Sequence, residues 1–219
     1  MDDRDKIKII IVEDHEVFRL GIRELINHEP DLTVCGEADD VNTARDLIKE
    51  LNPDMAVIDI TLKNSNGFEL IKEIRTFYQN IKILVLSMHD ELLYAERSLQ
   101  AGAQGYIMKQ ETSRSIVKAI RRILDGNVYV SENIMGNLLN RVRTGRDSID
   151  KSPIDNLSDR EFAVLRSIGE GRSTGEIAHQ MNLSVRTIST YRERIKEKLQ
   201  LKNATELVRY AICWVEDNI

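Results

Sequence analysis

Five polar residues stand directly after apolar runs in the first half of the chain, and their types suit one kind of chemistry. Glu13 and Asp14 follow residues 8–12, Asp59 follows 55–58, Ser87 follows 81–86 and Lys109 follows 105–108. If parallel strands bring those ends together, three carboxylates share one pocket, and their repulsion demands a cation or a proton. All-oxygen donors with spare coordination positions suit Mg2+, which keeps several waters and accepts phosphate oxygens. Lys109 adds a mobile point charge for a phosphoryl group, and Ser87 a hydroxyl donor. Together they resemble a phosphoryl-transfer site with an aspartate nucleophile. Taken singly, each residue has a plainer reading. An acidic pair after a strand is usually a solvated loop, and a lone Ser or Lys there is usually structural. Four strand ends carrying these types together argue for a site.

The elements that must position them are legible as patterns. The runs 8–12, 32–35, 55–58, 81–86 and 105–108 are mostly Ile- and Val-rich, with little alternation, as in strands buried on both faces of a parallel sheet. Between them lie stripes of helical period: Val17, Leu20, Gly21 and Leu25; Phe68, Ile71 and Ile74; Ile116, Ile120 and Ile123. Strand and helix alternate through residues 1–125, which predicts a doubly wound five-stranded α/β domain with helices on both faces. In such sheets ligands bind at the carboxyl ends of the strands.

From Gly126 the pattern breaks. Residues 134–142 could form one short helix, and 144–155 (TGRDSIDKSPID) offer almost nothing to bury, so 126–154 reads as an interdomain linker. Residues 155–219 are helical throughout. Ser158 and Glu161 form a capping box, with Leu157 placed to staple against Phe162; Ser173 and Glu176 repeat the box, and Ser184 is a third N-cap. Four helices there predict an all-α bundle. Ile188, Tyr191, Ile195 and Leu199 share one face of the third helix and should pack inward. Leu207, Val208, Ala211, Ile212 and Val215 form a broad stripe on the fourth. Trp214 fits either surface.

The chain has 219 residues, 42% of them hydrophobic and 31% charged, with 31 Lys+Arg against 36 Asp+Glu. That composition is too apolar for disorder and fits two modest domains. No apolar run approaches the roughly 20 residues of a membrane helix, and the start MDDRDK is too acidic for a signal peptide. Cys35 and Cys213 lack partner-like spacing and read as free thiols of a cytoplasmic protein. Read alone, the net charge of −5 argues against nucleic acid, but it divides unevenly. Residues 1–125 carry −6, residues 155–219 are neutral, and residues 184–202 carry six Lys/Arg against two Glu. The averaged charge excludes nothing.

Residues 7–125 resemble the receiver domain of two-component response regulators, through IIIVEDH, VIDITLKNSNGFEL, ILVLSMHD and AGAQGYIMK. The resemblance implies that Asp59 is the phosphoacceptor, that Asp14 binds Mg2+ directly and Glu13 through water, and that Thr61 lends its backbone carbonyl. It places Ser87 and Lys109 against the phosphoryl group, makes Tyr106 the aromatic that moves inward on activation, and sets Thr61 and His89 beside the path of attacking water. The acid pair is Glu-Asp where the family more often has Asp-Asp. His15 is read as a helix N-terminal residue rather than a ligand.

Residues 155–215 resemble a LuxR-type helix-turn-helix of the NarL/FixJ kind, through LSDREFAVLRSIGEG, TGEIAHQMNLSVRTISTY and IKEKLQLKNATELVRYAI. By position in that motif, Ser189, Thr190 and Glu193 face bases, and Arg186, Arg194, Lys196 and Lys198 meet phosphates. Glu193 could accept from cytosine N4 or simply pair with Lys196. A sensor histidine kinase, double-stranded DNA and a second copy in an active homodimer are the implied partners. Two other readings remain: an aspartyl-phosphate phosphatase, whose motif wants a second acid where Thr61 stands, and a switch that acts through protein contacts without DNA.

Overall fold

Ile9, Ile10, Ile11 and Val12 are all fully buried, so both faces of the first strand are covered and neither alternates with solvent. The computed structural model describes residues 6–62, 67–88, 91–132, 134–136, 153–181 and 183–218. These fall into two units, residues 1–138 and 139–219.

The first unit alternates strand and helix: β1 (Ile7–Val12), α1 (Glu16–Asn27), β2 (Leu32–Ala38), α2 (Val41–Leu51), β3 (Met55–Asp59), α3 (Gly67–Phe77), β4 (Lys82–Ser87), α4 (Glu91–Ala101), β5 (Gly105–Met108) and α5 (Thr112–Leu124). The strands make one parallel sheet in the order β2-β1-β3-β4-β5. Ile9, Ile11, Met55, Val57, Leu84, Leu86 and Ile107 pack on one face against Ile22 and Ile26 of α1 and Ile116, Ala119, Ile120 and Ile123 of α5. Each strand predicted from an apolar run is present, as are the buried stripes of α3 and α5.

The stripe expected on α1 is not the one buried. Val17 is 84% exposed and Leu20 39%, whereas Ile22 and Ile26 are buried, with Phe18 and Leu25 packed beside them. Two apolar stripes of equal period overlap on this helix. Periodicity fixes that a helix is amphipathic, not which of two candidate faces turns inward.

Within the expected linker, residues 127–132 and Ile134 pack onto the first unit. The Tyr129 amide donates to Gln104 O at 2.9 Å and the Tyr106 amide to Tyr129 O at 2.8 Å. Tyr129 thereby adds a parallel bridge at Gly105, and Ile134 is buried. The apolar triplet Val128–Tyr129–Val130 is too short to read as a strand, yet it satisfies the outer edge of β5. Residues 134–136 are helical; the rest of the helix expected over 134–142, and residues 144–152 of the expected linker, lie outside the described residues.

The second unit holds α6 (Asp159–Gly169), α7 (Thr174–Gln180), α8 (Val185–Lys198) and α9 (Ala204–Asn218). Both capping boxes form, and Ser184 Oγ accepts the Thr187 amide at 3.0 Å to open α8. Leu157 and Phe162 are both buried, as expected of a staple. Ile188 and Ile195 of α8 are fully buried, as are Leu207 and Ala211 of α9. The stripe on α9 is narrower than expected, since Ile212 is 37% exposed. Trp214 meets Phe162 edge to face, with centroids 5.2 Å apart.

Helices α6 and α9 approach so closely that only glycine fits between them. A Cβ on Gly169 would lie 2.4 Å from Ala211 O and 2.5 Å from Val215 Cγ2. Gly169→Ala should therefore lower the stability of this unit by about 1–3 kcal/mol through overpacking. Trp214, the single tryptophan, reports its unfolding by fluorescence in urea. An unchanged midpoint would contradict the packing described.

Candidate phosphoacceptor site and nucleic-acid interface

The strand order puts the topological switch point between β1 and β3, because the chain leaves β1 toward β2 and returns on the other side. A crevice opens there at the carboxyl ends. Val12 pairs with Ile58, so Glu13 comes level with Asp59. Ser87 pairs with Met108 across β4 and β5, which delivers Lys109 one residue later. The neighbouring strands β3, β4 and β5 thus hand Asp59, Ser87 and Lys109 to one end of the sheet.

The pocket is buried and charged. Glu13 and Ser87 are fully buried, Asp59 is 1% exposed, and Asp14 and Lys109 are also buried. Lys109 Nζ donates to Asp59 Oδ2 at 2.8 Å and to Glu13 Oε1 at 2.8 Å, with Glu13 Oε2 at 2.6 Å. It also lies 4.9 Å from the centroid of the Phe18 ring. Asp59 Oδ1 accepts the Thr61 amide at 2.9 Å. Carboxylate oxygens of Glu13, Asp14 and Asp59 and a ring nitrogen of His15 lie within 4.8 Å of one another.

Burial pushes the Asp59 carboxyl up to about 7; the Lys109 ammonium opposes that rise and the Glu13 carboxylate adds to it. Burial also pulls the Lys109 amine down, but Asp59 and Glu13 outweigh it and hold it above its ordinary range. Three carboxylates facing one ammonium leave two formal negative charges in excess. A divalent cation would balance that excess, and an oxygen-rich set fits Mg2+.

Of the residues expected here, Glu13, Asp14, Asp59, Ser87 and Lys109 stand together or at adjoining strand ends. Tyr106 is already inside, 1% exposed. Thr61 is exposed just past the strand and touches Asp59 through its amide. His89 lies outside the described residues.

His15 stands at the helix N-terminus as expected, and two further neighbours, Arg19 and Gly67, were not legible as site residues. His15 is the N-cap of α1, and its Nδ1 lies 3.0 Å from both Glu13 Oε1 and Asp14 Oδ1. Arg19, one turn on, donates through Nη1 to Glu13 O at 2.5 Å and through Nε to Glu37 Oε2 at 3.1 Å, bracing the acidic loop. Gly67 lets the start of α3 lie against the end of β3, since a Cβ there would sit 2.3 Å from Asp59 O. The signal for Gly67 was the Asn66–Gly67 dipeptide before a helical stripe; for Arg19 the sequence offers none.

In the second unit, Arg186, Ser189, Thr190, Glu193 and Arg194 form an exposed surface along α8, with Lys196 half-buried beside it. Ser189 Oγ donates to Val185 O at 3.0 Å and Thr190 Oγ1 to Arg186 O at 3.1 Å. Glu193 pairs with Lys196 at 2.8 Å, the plainer of its two expected states. Lys198, expected at phosphates, instead reaches Glu161 Oε2 at 2.7 Å. Burial pushes the Glu161 carboxyl up, but hydrogen bonds from Lys198 and Ser158 prevail and hold it below the usual range.

A parallel α/β domain with an acid–lysine pocket, followed by a helix-turn-helix bundle, defines a two-domain class of regulator. Comparison with known proteins agrees. Residues 9–121 match the family described as response regulator receiver domain, and residues 155–211 match bacterial regulatory proteins of the luxR family. The chain is 34% identical to the Fimbriae Z protein of Salmonella typhimurium, over 93% of this chain and 95% of that one. It is 31% identical to the oxygen regulatory protein NreC of Staphylococcus epidermidis, over 94% and 97%. A solved structure of RcsB from Salmonella enterica serovar Typhimurium, bound to promoter rprA with the phosphomimetic BeF3-, superposes with a TM-score of 0.59. It is 26% identical and covers 94% of this chain and 98% of that one. The chain belongs to the response regulators of the NarL/FixJ type, with a receiver domain and a LuxR-type DNA-binding domain.

The raised Asp59 carboxyl links stability to pH. Its folded value, about 7, exceeds the ordinary 3.8, so the folded state holds a proton that the unfolded state has released. Stability should fall as pH rises through that window and stay low above about 7. In metal-free protein, Asp59→Asn should be more stable than wild type by roughly 2–4 kcal/mol at pH 8 and by much less at pH 5. Denaturant unfolding of the receiver at both values checks this, and an equal gain at both would contradict it.

Proposed function

We propose that residues 1–125 act as a phosphoacceptor domain, that 126–154 connect the domains, and that 155–219 bind double-stranded DNA under its control. The observation that carries this reading is the convergence of Lys109 Nζ on Asp59 and Glu13 beside Asp14, inside a buried pocket. An ionised Asp59 carboxylate attacks the phosphorus of a phosphohistidine on a sensor kinase. The P–N bond breaks, its electron pair leaves with the imidazole, and an acyl phosphate forms on Asp59. Bound Mg2+, held by Glu13, Asp14, Asp59 and the Thr61 carbonyl, would neutralise charge on the carboxylates and the transferred group. Lys109 exchanges its contact with Asp59 for a phosphoryl oxygen, and Ser87 donates its hydroxyl to another. The donor supplies the phosphoryl group and Asp59 only accepts it; water then slowly hydrolyses the acyl phosphate, releasing inorganic phosphate and restoring the carboxylate.

Tyr106 already packs in the interior. Phosphorylation then stabilises that inward placement rather than creating it, which is a population shift. Each tenfold change in the DNA-competent fraction needs about 1.4 kcal/mol of differential interaction. The output is DNA binding as a homodimer on two half-sites, with Ser189, Thr190 and Glu193 toward bases and Arg186, Arg194 and Lys196 toward phosphates. The complex of RcsB with promoter DNA and a phosphomimetic supports this output, as does the local excess of basic residues over 184–202. In a mobility-shift assay with genomic fragments, acetyl phosphate should raise wild-type binding by on the order of tenfold. Asp59→Asn should show no rise, and undiminished activation in that variant would defeat the phosphoswitch.

A further inference from the structure

Lys198 is the last residue of α8, at the end where a recognition helix usually spends its cations on phosphates. Its Nζ lies instead 2.7 Å from Glu161 Oε2, on a carboxylate whose side chain is only 4% exposed. The same oxygen accepts the Ser158 amide at 2.7 Å, as half of the capping box that opens α6. One buried oxygen atom thus ties the first turn of α6 to the last turn of α8. A carboxylate so placed needs its cation, because losing Lys198, itself 39% exposed, strands Glu161 in a poorly solvated site.

We propose that Glu161 sets the specificity of DNA binding by holding Lys198: the pair fixes the seat of the recognition helix and withholds one lysine from the phosphate backbone. The proposal rests on the reading of α8 as the DNA-reading helix. Lys198 is then a positioning residue and not a DNA contact. Each lysine on a phosphate adds sequence-independent affinity and steepens the salt dependence by about 0.9 in log–log slope. Sequestering one trims non-specific binding while leaving base readout intact.

The test uses the full chain with beryllofluoride and Mg2+, a random-sequence duplex pool, and the duplex that wild type enriches from that pool. Glu161→Gln keeps the cap, since Gln also serves a capping box, but loosens Lys198. It should strengthen binding to the pool, steepen the salt slope by about 1, and narrow the enriched-to-pool affinity ratio roughly 3- to 10-fold. Lys198→Met should weaken the enriched duplex and leave the slope unchanged, whereas Lys196→Ala, as a phosphate-contact control, should flatten it by about 1. A flattened slope in Lys198→Met with an unchanged ratio in Glu161→Gln would overturn the proposal. Trp214 fluorescence in urea supplies a readout without DNA, because a double-mutant cycle should show coupling between positions 161 and 198. Lack of coupling also overturns the proposal. Coupling in a chain that binds no duplex instead sinks the DNA-binding reading beneath it.

Discussion

The contact of Lys109 Nζ with Asp59 and Glu13 is the constraint on which the first domain turns. Four residues that repel or attract strongly are placed out of water at the ends of strands with apolar interiors. The sheet can supply that placement only because its strands are parallel, so every strand offers its carboxyl end to the same side. Burial makes the ammonium valuable, and the three carboxylates make it insufficient. On the proposed reading, this imbalance is what would make the pocket answer a divalent cation and a phosphoryl group more strongly than a solvated acidic cluster. The bracing around it follows: Arg19 on the acidic loop, Phe18 under the lysine, and Gly67 allowing α3 to press against Asp59.

Much of this was legible from residue order. Strands buried on both faces read as unbroken Ile and Val, and a polar residue ending such a run must emerge at the sheet's rim. Hence residue order alone places Glu13, Asp14, Asp59, Ser87 and Lys109 at that rim. What escaped was whatever depends on choosing between equals or on contacts distant in sequence. Val17 and Leu20 are as apolar as Phe18 and Ile22, so the buried face of α1 was not decidable from period. Tyr129 completes the edge beside Gly105 through backbone atoms, which carry no side-chain signal. Gly67 and Gly169 are needed for absent volume, and only the neighbours that would clash reveal it.

The helical domain shows the same division. Capping boxes at Ser158 and Ser173 are local rules and were readable. Partners of the basic residues on α8 were not, because Lys198 meets Glu161 across 37 positions. Of the five Lys and Arg on that helix, Lys196 and Lys198 have carboxylate partners within the domain. Glu193 is already counted within 184–202 but Glu161 is not, so the positive stretch presents a weaker field to a duplex than its own formal charge suggests. A restrained field suits a regulator whose occupancy must depend on a signal, since strong non-specific affinity would hold the chain on DNA regardless of phosphorylation.

On the proposed reading, the buried acid–lysine cluster acts as a cation-dependent phosphoacceptor at Asp59. Mass spectrometry of the full chain after incubation with acetyl phosphate tests it most directly. With Mg2+ present, one phosphoryl group should be added and should map to the peptide containing Asp59; with the cation chelated, it should be absent. Addition that persists equally without the cation, or maps away from Asp59, would contradict the account.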